Sequence, residues 1–402
     1  MRILQVNKFG TRTSGADNYF LDVGARLAAG GSEVGYLCMR PAAVPADAPL
    51  FEVPDVEFHG DKSARDQLAA ARRVLWSREG LVAMRAALRT FRPDVVHLHN
   101  YAHQLSSSVV AAAYEAGVAT VATAHDYKLI CPAYTAMRDR EPCFRCAPGN
   151  PSHCVGGRCL HDSLTWSTVA AAEAAFVRRG RDTRVPGTVL APSQYMADRL
   201  SGSWLQGAGV RVHVLRNPIE AVSVAAPVGR REGAGIYVGR LAAEKGLDIL
   251  VRAAAAARVE IVIVGDGPER DSLERLAREL DAPVRFPGFL TGAALEAEWS
   301  KAGFFAMTST WPENAPLALL EALVRGLPAL LADIGGLPEL VGRYGGGRLV
   351  PPGDVGAAAA QLPSLAAGDV AAADVVALTN ALSWDAHLVT LLSRFEEAAG
   401  AH

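Results

Sequence analysis

Two carboxylates and two cations are the residues of this chain best spaced to act together on one ligand. Glu313 stands in Trp311-Pro312-Glu313-Asn314-Ala315-Pro316, after the apolar run Phe304-Phe305-Ala306-Met307 and the hydroxyl run Thr308-Ser309-Thr310. The apolar run reads as a buried strand. Leu317 to Leu323, stopped by Gly326 and Pro328, reads as a helix. Glu313 is thereby placed at the carboxyl end of a strand just before a helix, where open α/β sheets bind ligands. Amides of the helix's first turn, Leu317 and Ala318 among them, favour an anion. Glu321 follows two turns later on an otherwise apolar helix. Carboxylates accept the hydrogen bonds that sugar hydroxyls donate, so amides for phosphate beside carboxylates for hydroxyls point to a nucleotide-sugar. The plainer alternative makes Glu313 a helix-start acid matching the helix dipole and Glu321 a solvated position.

Arg240 and Lys245 lie just after another strand and near a helix start. Arg can bridge two phosphate oxygens and Lys supplies a point charge; the alternative is two solvated helix-entry residues. Gly15, in Thr13-Ser14-Gly15-Ala16 after the first strand, permits close backbone approach to a phosphate or sugar, though a plain turn would use it equally well. His125 closes the strand Thr120 to Ala124 and opens His125-Asp126-Tyr127. A histidine at a strand tip can hydrogen-bond a sugar hydroxyl or move a proton. His97 and His99 sit at another strand end, facing a ligand or packed.

The segment Cys131 to Cys159 holds five of the six cysteines, Cys131, Cys143, Cys146, Cys154 and Cys159, with His153 and His161 beside them. Cys143-Phe144-Arg145-Cys146 is a C-x2-C knuckle in Pro/Gly-rich sequence without helical or strand period. So little core in such a segment calls for a staple. In a cytoplasmic protein, thiolates at this spacing favour a metal over disulfides, and zinc is the default for sulfur ligands. Reduced thiols, incidental disulfides and an iron–sulfur cluster remain as alternatives.

Glu313 and Glu321 with seven residues between them, followed by Ala322 and Gly326-Leu327-Pro328, resemble the Glu-x7-Glu signature of retaining GT-B glycosyltransferases, family 4 in particular. Asp333-Ile334-Gly335-Gly336-Leu337-Pro338-Glu339, Gly239-Arg240-Leu241 with Glu244-Lys245-Gly246, and Val264-Gly265-Asp266-Gly267-Pro268 match in the same order. The resemblance implies an α/β GT-B fold, two Rossmann-like doubly wound domains facing across a cleft. It implies that the amino-terminal domain holds the acceptor and the carboxy-terminal domain the nucleotide-sugar. Glu321 would bind the ribose hydroxyls and Glu313 the donor sugar, with Asn314 beside them. Arg240 and Lys245 would stabilise the leaving diphosphate, so that catalysis needs no metal or other cofactor. His125 would stand next to the transferred sugar, and Gly15 would belong to the family's amino-terminal loop, where many relatives carry two glycines and this chain has Ser14-Gly15. A subgroup carries a Cys-rich insertion after the His-Asp-Tyr-like strand end. The expected ligands of a structural zinc are Cys131, Cys143, Cys146 and Cys159, with Cys154 as a substitute. A sugar-nucleotide-binding protein without transferase activity, or an epimerase or phosphorylase on the same fold, are the rival functions.

These residues need scaffolding, and the chain supplies it. A length of 402 residues, half of them hydrophobic and a fifth charged, allows large cores. Net charge of −2 gives no hint of a nucleic-acid partner. No run approaches the roughly 18 apolar residues of a membrane span, and the first residues read as a strand rather than a signal peptide, so a cytoplasmic location is expected. Strands at Ile3 to Asn7, Val34 to Met39, Val95 to His99, Thr120 to His125, Val189 to Ala191 and Val212 to Leu215 alternate with helices. A second alternating series runs Gly235 to Val238, Glu260 to Val264, Val284 to Phe286, Phe304 to Met307 and Ala329 to Ala332. Alternation of this kind means right-handed crossovers and parallel sheets. The expected divisions are an acceptor domain over 1–217 with a Cys-rich insertion at 127–165, a donor domain over 218–384 opening on a Pro/Gly/Ala-rich linker, and a terminal helix over 385–402 that packs back on the first domain. The expected acceptor is a glycan, lipid-linked or small molecule. Between Lys62 and Arg92 the residues Arg65, Arg72, Arg73, Arg78, Arg85 and Arg89 could make peripheral contact with anionic lipid, or form a solvated helical face.

Overall fold

The computed structural model describes residues 1–56, 64–220 and 232–401. Most of the expected linker, at 221–231, lies outside the described residues, as do Lys62 and the side chain of Arg65. The chain forms two compact units: Met1–Arg138, Cys143–Leu215 and Leu388–His402 in the first, Asp139–Pro142 and Arg216–His387 in the second.

The first unit is built on seven parallel strands: β1 (Arg2–Phe9), β2 (Glu33–Met39), β3 (Leu50–Glu52), β4 (Val95–Leu98), β5 (Ala119–Thr123), β6 (Thr188–Ala191) and β7 (Arg211–Val214). Their order in the sheet is β3-β2-β1-β4-β5-β6-β7. Ile3 of β1 pairs with Val34 on one side and Val95 on the other. The order reverses between β1 and β4, and ligands collect at such a reversal. Val95, Val96 and Leu98 are buried, with His97 between them. A strand buried on both faces is what helices on both sides of a parallel sheet produce. Between Cys159 and β6 the chain forms the helix Leu164–Arg179, capped by Ser163. The helix Ser108–Glu115 connects β4 to β5. The terminal helix, Trp384–Gly400, buries Leu391 and Phe395, with Phe395 against His97.

The second unit repeats the plan with six strands: β8 (Gly235–Val238), β9 (Ile261–Val264), β10 (Val284–Gly288), β11 (Phe304–Met307), β12 (Ala329–Ala332) and β13 (Gly347–Val350). Their order is β10-β9-β8-β11-β12-β13. All of β9, β11 and β12 is buried. Here the reversal falls between β8 and β11, the strands that precede Arg240 and Glu313. The short edge strands β3 and β13 were not expected; both are largely exposed and carry no continuous apolar run to announce them.

Among the described residues no helix is long and apolar enough to cross a membrane. Two arginines of the basic segment are already engaged within the protein. Arg73 donates to the carbonyls of Pro54 and Gln104 at 2.6 and 3.1 Å, and Arg85 pairs with Glu115 at 2.8 Å.

Candidate active site

In the second unit, Glu313 is buried beyond the end of β11. Its Oε1 accepts from Lys245 Nζ at 2.6 Å and from Ser309 Oγ at 2.8 Å. The Lys245 ammonium also lies over the Trp311 ring, 4.9 Å from its centroid. Charges removed from water to this degree persist only when paired and hydrogen-bonded, and here both conditions hold. A lysine has three donors, so the pair does not exhaust the ammonium. Ser309 has no role in the sequence reading; the run of three hydroxyl residues at the strand end is the signal that points to it.

The loops that carry these residues are tied together by backbone. Thr310 N and Trp311 N donate to Glu244 O at 3.0 and 3.2 Å, and Thr308 Oγ1 to Gly246 O at 2.8 Å. Gly246 has φ +60, and a Cβ there would stand 2.2 Å from Thr308 O. Gly336 N donates to Glu313 O at 2.6 Å, and Gly335, at φ +64, lies so close that a Cβ would come within 2.3 Å of the same oxygen. Only glycine fits such approaches.

Arg240 is exposed and its guanidinium has no hydrogen-bonding partner among the described residues; Tyr237 Oη donates to its carbonyl at 3.1 Å. Glu321 lies half-buried on the helix Leu317–Val324. Burial raises its pKa, against the lowering field of Arg325, and its carboxylate too has no hydrogen-bonding partner among the described residues. Pro316 caps that helix without a side-chain hydrogen bond. Its carbonyl receives Leu319 N and Leu320 N, which leaves the amides of Leu317 and Ala318 directed out of the first turn. Asn314 is buried between Glu313 and that turn.

In the first unit a histidine cluster fills the reversal point. His99 Nε2 lies 2.9 Å from Gln5 Oε1 and His99 Nδ1 lies 3.1 Å from His125 Nε2. The two rings are stacked, with Tyr19 edge-on to both. His97 Nε2 is 2.8 Å from Thr123 Oγ1. Burial pushes His125 down to about 4, against the raising field of Asp17. His99 is held well below its ordinary value by burial and by its two histidine neighbours. Both rings are neutral at pH 7. Gly15 opens the helix Gly15–Ala29 instead of lying in a loop, because Ser14 caps that helix. The polar centre here is Asp17, which sequence reading missed: it accepts from Asn7 Nδ2, Thr13 Oγ1 and Ser14 Oγ at 2.8, 2.8 and 2.7 Å.

The cysteine-rich insertion differs from expectation at one residue. Cys146 and Cys154 are buried in a small core with Ala133, Leu160 and Ala170, and Cys131 and Cys159 pack against it. Burial pushes the Cys146 thiol up to about 11 and that of Cys154 up to about 12, and neighbouring thiols add to both shifts. Cys143 is outside this core, its amide bonded to Ala136 O at 2.7 Å. The grouped thiols are therefore Cys131, Cys146, Cys154 and Cys159, with Cys154 in the place expected for Cys143. Among the described residues no group of three or more His, Cys, Asp or Glu side chains is arranged to hold a metal ion.

Two Rossmann-like parallel-sheet units, each with polar residues at its strand-order reversal, define a GT-B-type protein. The chain belongs to Glycosyltransferase Family 4, whose sequence profile matches residues 13–222, and the profile of glycosyl transferases group 1 matches residues 231–375. It is similar to a GDP-mannose-dependent alpha-mannosyltransferase of Mycobacterium tuberculosis, 29% identical over 67% of this chain and 64% of that one. It is 30% identical to a 2-deoxystreptamine N-acetyl-D-glucosaminyltransferase of Streptomyces fradiae, over 70% of this chain and 65% of the relative. A sulfoquinovosyl transferase of Arabidopsis thaliana is 35% identical over 30% of this chain and 24% of its own length. The chain thus spans less than two thirds of these relatives. Among solved structures, a sucrose-phosphate synthase from Thermosynechococcus elongatus superposes with a TM-score of 0.69 at 20% identity, covering 100% of both chains. An Anabaena protein solved in complex with UDP and glucose does so with 0.63 at 20% identity, again over 100% of both. At these identities the likeness is one of fold.

Proposed function

We propose that this protein is a retaining glycosyltransferase that moves a sugar from a nucleoside-diphosphate sugar to a hydroxyl acceptor. The observation that carries the reading is the buried Glu313–Lys245–Ser309 group at the strand-order reversal of the second unit, with the guanidinium of Arg240 and the carboxylate of Glu321, neither hydrogen-bonded among the described residues, on the loop and helix beside it. In this reading Glu321 accepts from the ribose hydroxyls and Glu313, with Asn314, orders the donor sugar. Arg240, Lys245 and the amides of Leu317 and Ala318 meet the diphosphate. Charge grows on that group as it leaves, and fixed cations act most strongly where water is excluded. With Arg240 and Lys245 in place, the reaction does not call on a divalent metal.

In the transfer, the acceptor oxygen bonds to the anomeric carbon as the bond from that carbon to the diphosphate oxygen breaks. The acceptor's proton passes to the leaving phosphate on the same face, which retains configuration. His125, neutral at pH 7, serves as a hydrogen-bonding partner of a sugar hydroxyl rather than as a cation. The acceptor belongs to the first unit. The relatives' names support the class of reaction, and the Anabaena protein's UDP and glucose support a nucleotide-sugar as donor. Thermal-shift measurements with UDP-, GDP- and dTDP-sugars, followed by assay of nucleotide release, test the reading. A stabilising donor that is then turned over is expected. Binding without turnover under any acceptor would leave a sugar-nucleotide-binding protein instead.

A further inference from the structure

The first unit contains a cavity of about 320 Å³, at the small end of ligand pockets, which run roughly 300–1,000 Å³. One side is formed by strand ends, with Lys8, His125 and Asp126; the other belongs to the cysteine-rich insertion and the helix after it, with Lys128, Tyr134 and Trp166. Its charges cancel. Lys128 Nζ is bonded to Glu173 Oε2 at 2.7 Å, behind the wall, and His103 Nδ1 lies 3.2 Å from the same oxygen. Lys8, whose one described contact beyond the backbone is the Phe9 ring, lies in the field of Asp126. His99 and His125 are neutral, and among the described residues no arginine lines the space. A phosphate would find no bidentate partner there, and an added ammonium no unmatched acid.

The cavity nonetheless has the fittings for hydroxyl groups. Asp126 Oδ1 accepts from Lys128 N at 2.8 Å, and its second oxygen is available to a donor; Lys8 supplies donors. Trp166 and Tyr134 present aromatic surface, to which the C–H face of a sugar or cyclitol ring is complementary. We propose that this cavity takes an uncharged polyhydroxylated ring, a monosaccharide or cyclitol without phosphate, and is the acceptor subsite. The word acceptor rests on the transferase reading above; the ring preference does not. Tyr134, Leu160, Trp166 and Ala170 border the cavity and also pack with the Cys131, Cys146, Cys154 and Cys159 core. The insertion is thus the part of the chain that shapes acceptor choice.

The test titrates the full chain calorimetrically with myo-inositol, methyl α-D-glucopyranoside and glucose 6-phosphate. At least one neutral ring is expected to bind in the millimolar range, with glucose 6-phosphate about tenfold weaker or undetectable. Trp166→Ala should weaken the neutral ring about tenfold, the loss of one stacked aromatic contact, and Trp166→Phe should restore most of it in a protein of unchanged melting temperature. UDP or GDP binding should be unchanged in both variants. Tighter binding of glucose 6-phosphate, indifference to Trp166→Ala in a folded variant, or no ring binding at all would each overturn the proposal. If rings bind but no nucleotide-sugar does, the transferase reading fails and the ring site stands; if donor is hydrolysed but no ring binds, the reverse holds.

Discussion

His125 Nε2 and His99 Nδ1 face each other at 3.1 Å, and the order of protons between them follows from Gln5. Its Oε1, 2.9 Å from His99 Nε2, can only accept. His99 therefore donates through Nε2 and accepts at Nδ1, so His125 donates through Nε2 and its Nδ1 is the unprotonated nitrogen. The cluster fixes a tautomer as well as a ring orientation.

That arrangement has a pH signature. His125 falls from 6.5 to about 4 on folding, so between those values the unfolded chain binds the proton and the native one does not. Native stability is then complete above pH 6.5 and is lost progressively as pH falls toward 4. The loss should amount to about 1–3 kcal/mol. Thermal melts from pH 7.5 to 4.5 should show it, and His125→Gln should flatten part of the slope. His99, held low by the same burial in the first unit, and His387, lowered to about 4 by burial in the second, add to the slope with the same sign. A His125→Gln profile parallel to wild type would contradict the buried neutral imidazole.

The Glu313–Lys245 pair predicts a split between two acids. Glu321→Ala should weaken nucleotide binding by about 1.5–3 kcal/mol, the worth of a hydrogen bond to a charged acceptor, with turnover of bound donor little altered. Glu313→Gln should lower turnover roughly a hundredfold with a smaller change in affinity. Steady-state kinetics with the donor found by thermal shift separate the two, and equal effects on binding and turnover in both variants would refute the assignment. Lys245→Ala should resemble Glu313→Gln and also lower stability, since it strands a buried carboxylate. Activity should persist in EDTA.

How much of this was legible follows the physics of each part. Ile261–Val264 and Phe304–Met307 announce themselves because a strand buried on both faces is apolar at every position. Glu313 was legible because the strand end and the helix start both lie within a few residues of it. Asp17 was not: its ligand Asn7 comes from β1 and only the fold brings the two together. Glu173 is further out of reach, bonded to His103 across 70 positions of chain and to Lys128 across 45. On an Ala-rich helix it reads as a solvated acid. Cys154 rather than Cys143 joins the thiol core because the short helix Ser152–Gly156 turns it inward, which spacing alone could not choose.

Glu173 offers a stability test independent of function. Burial would raise its pKa, but Lys128 and His103 overcome that and hold the carboxyl far below its ordinary range. Lys128→Met should therefore cost about 3–5 kcal/mol in denaturant unfolding, by leaving a buried charge without its partner. Arg85→Ala, which breaks an exposed pair with Glu115, should cost about 0–1 kcal/mol. Similar small losses in both would mean that Glu173 is not buried as an ion.

Thiol chemistry distinguishes the two candidate sets. Cys154→Ser places a hydroxyl in an apolar core and should lower stability by about 1–3 kcal/mol, whereas Cys143→Ser should be near neutral. In the native protein Cys143 should react with a soluble disulfide before the buried Cys146 and Cys154, whose pKa values burial pushes up. Elemental analysis of the same preparations decides the zinc expectation. Zinc lost from Cys143→Ser and retained in Cys154→Ser would restore the ligand set read from sequence, and a wild-type protein without zinc removes the metal altogether.

Gly335 carries the last prediction, because it couples a backbone requirement to the proposed donor site. At φ +64 with Glu313 O in the way, an added methyl meets both a conformational cost and a backbone atom that cannot swing aside. Gly335→Ala should therefore displace the Glu313 loop, breaking the 2.6 Å bond from Gly336 N to Glu313 O. A displacement of about 1 Å at a positioned group can cost on the order of a hundredfold in rate. The expected result is a folded protein with strongly reduced turnover, since the strands on either side are unaffected. Gly326→Ala is the control: it shares the positive φ, +73, yet nothing stands within 4 Å of its added Cβ. It should lose a little stability and keep its rate. Equal rates in the two variants would show that the close approach at Glu313 does not position the site.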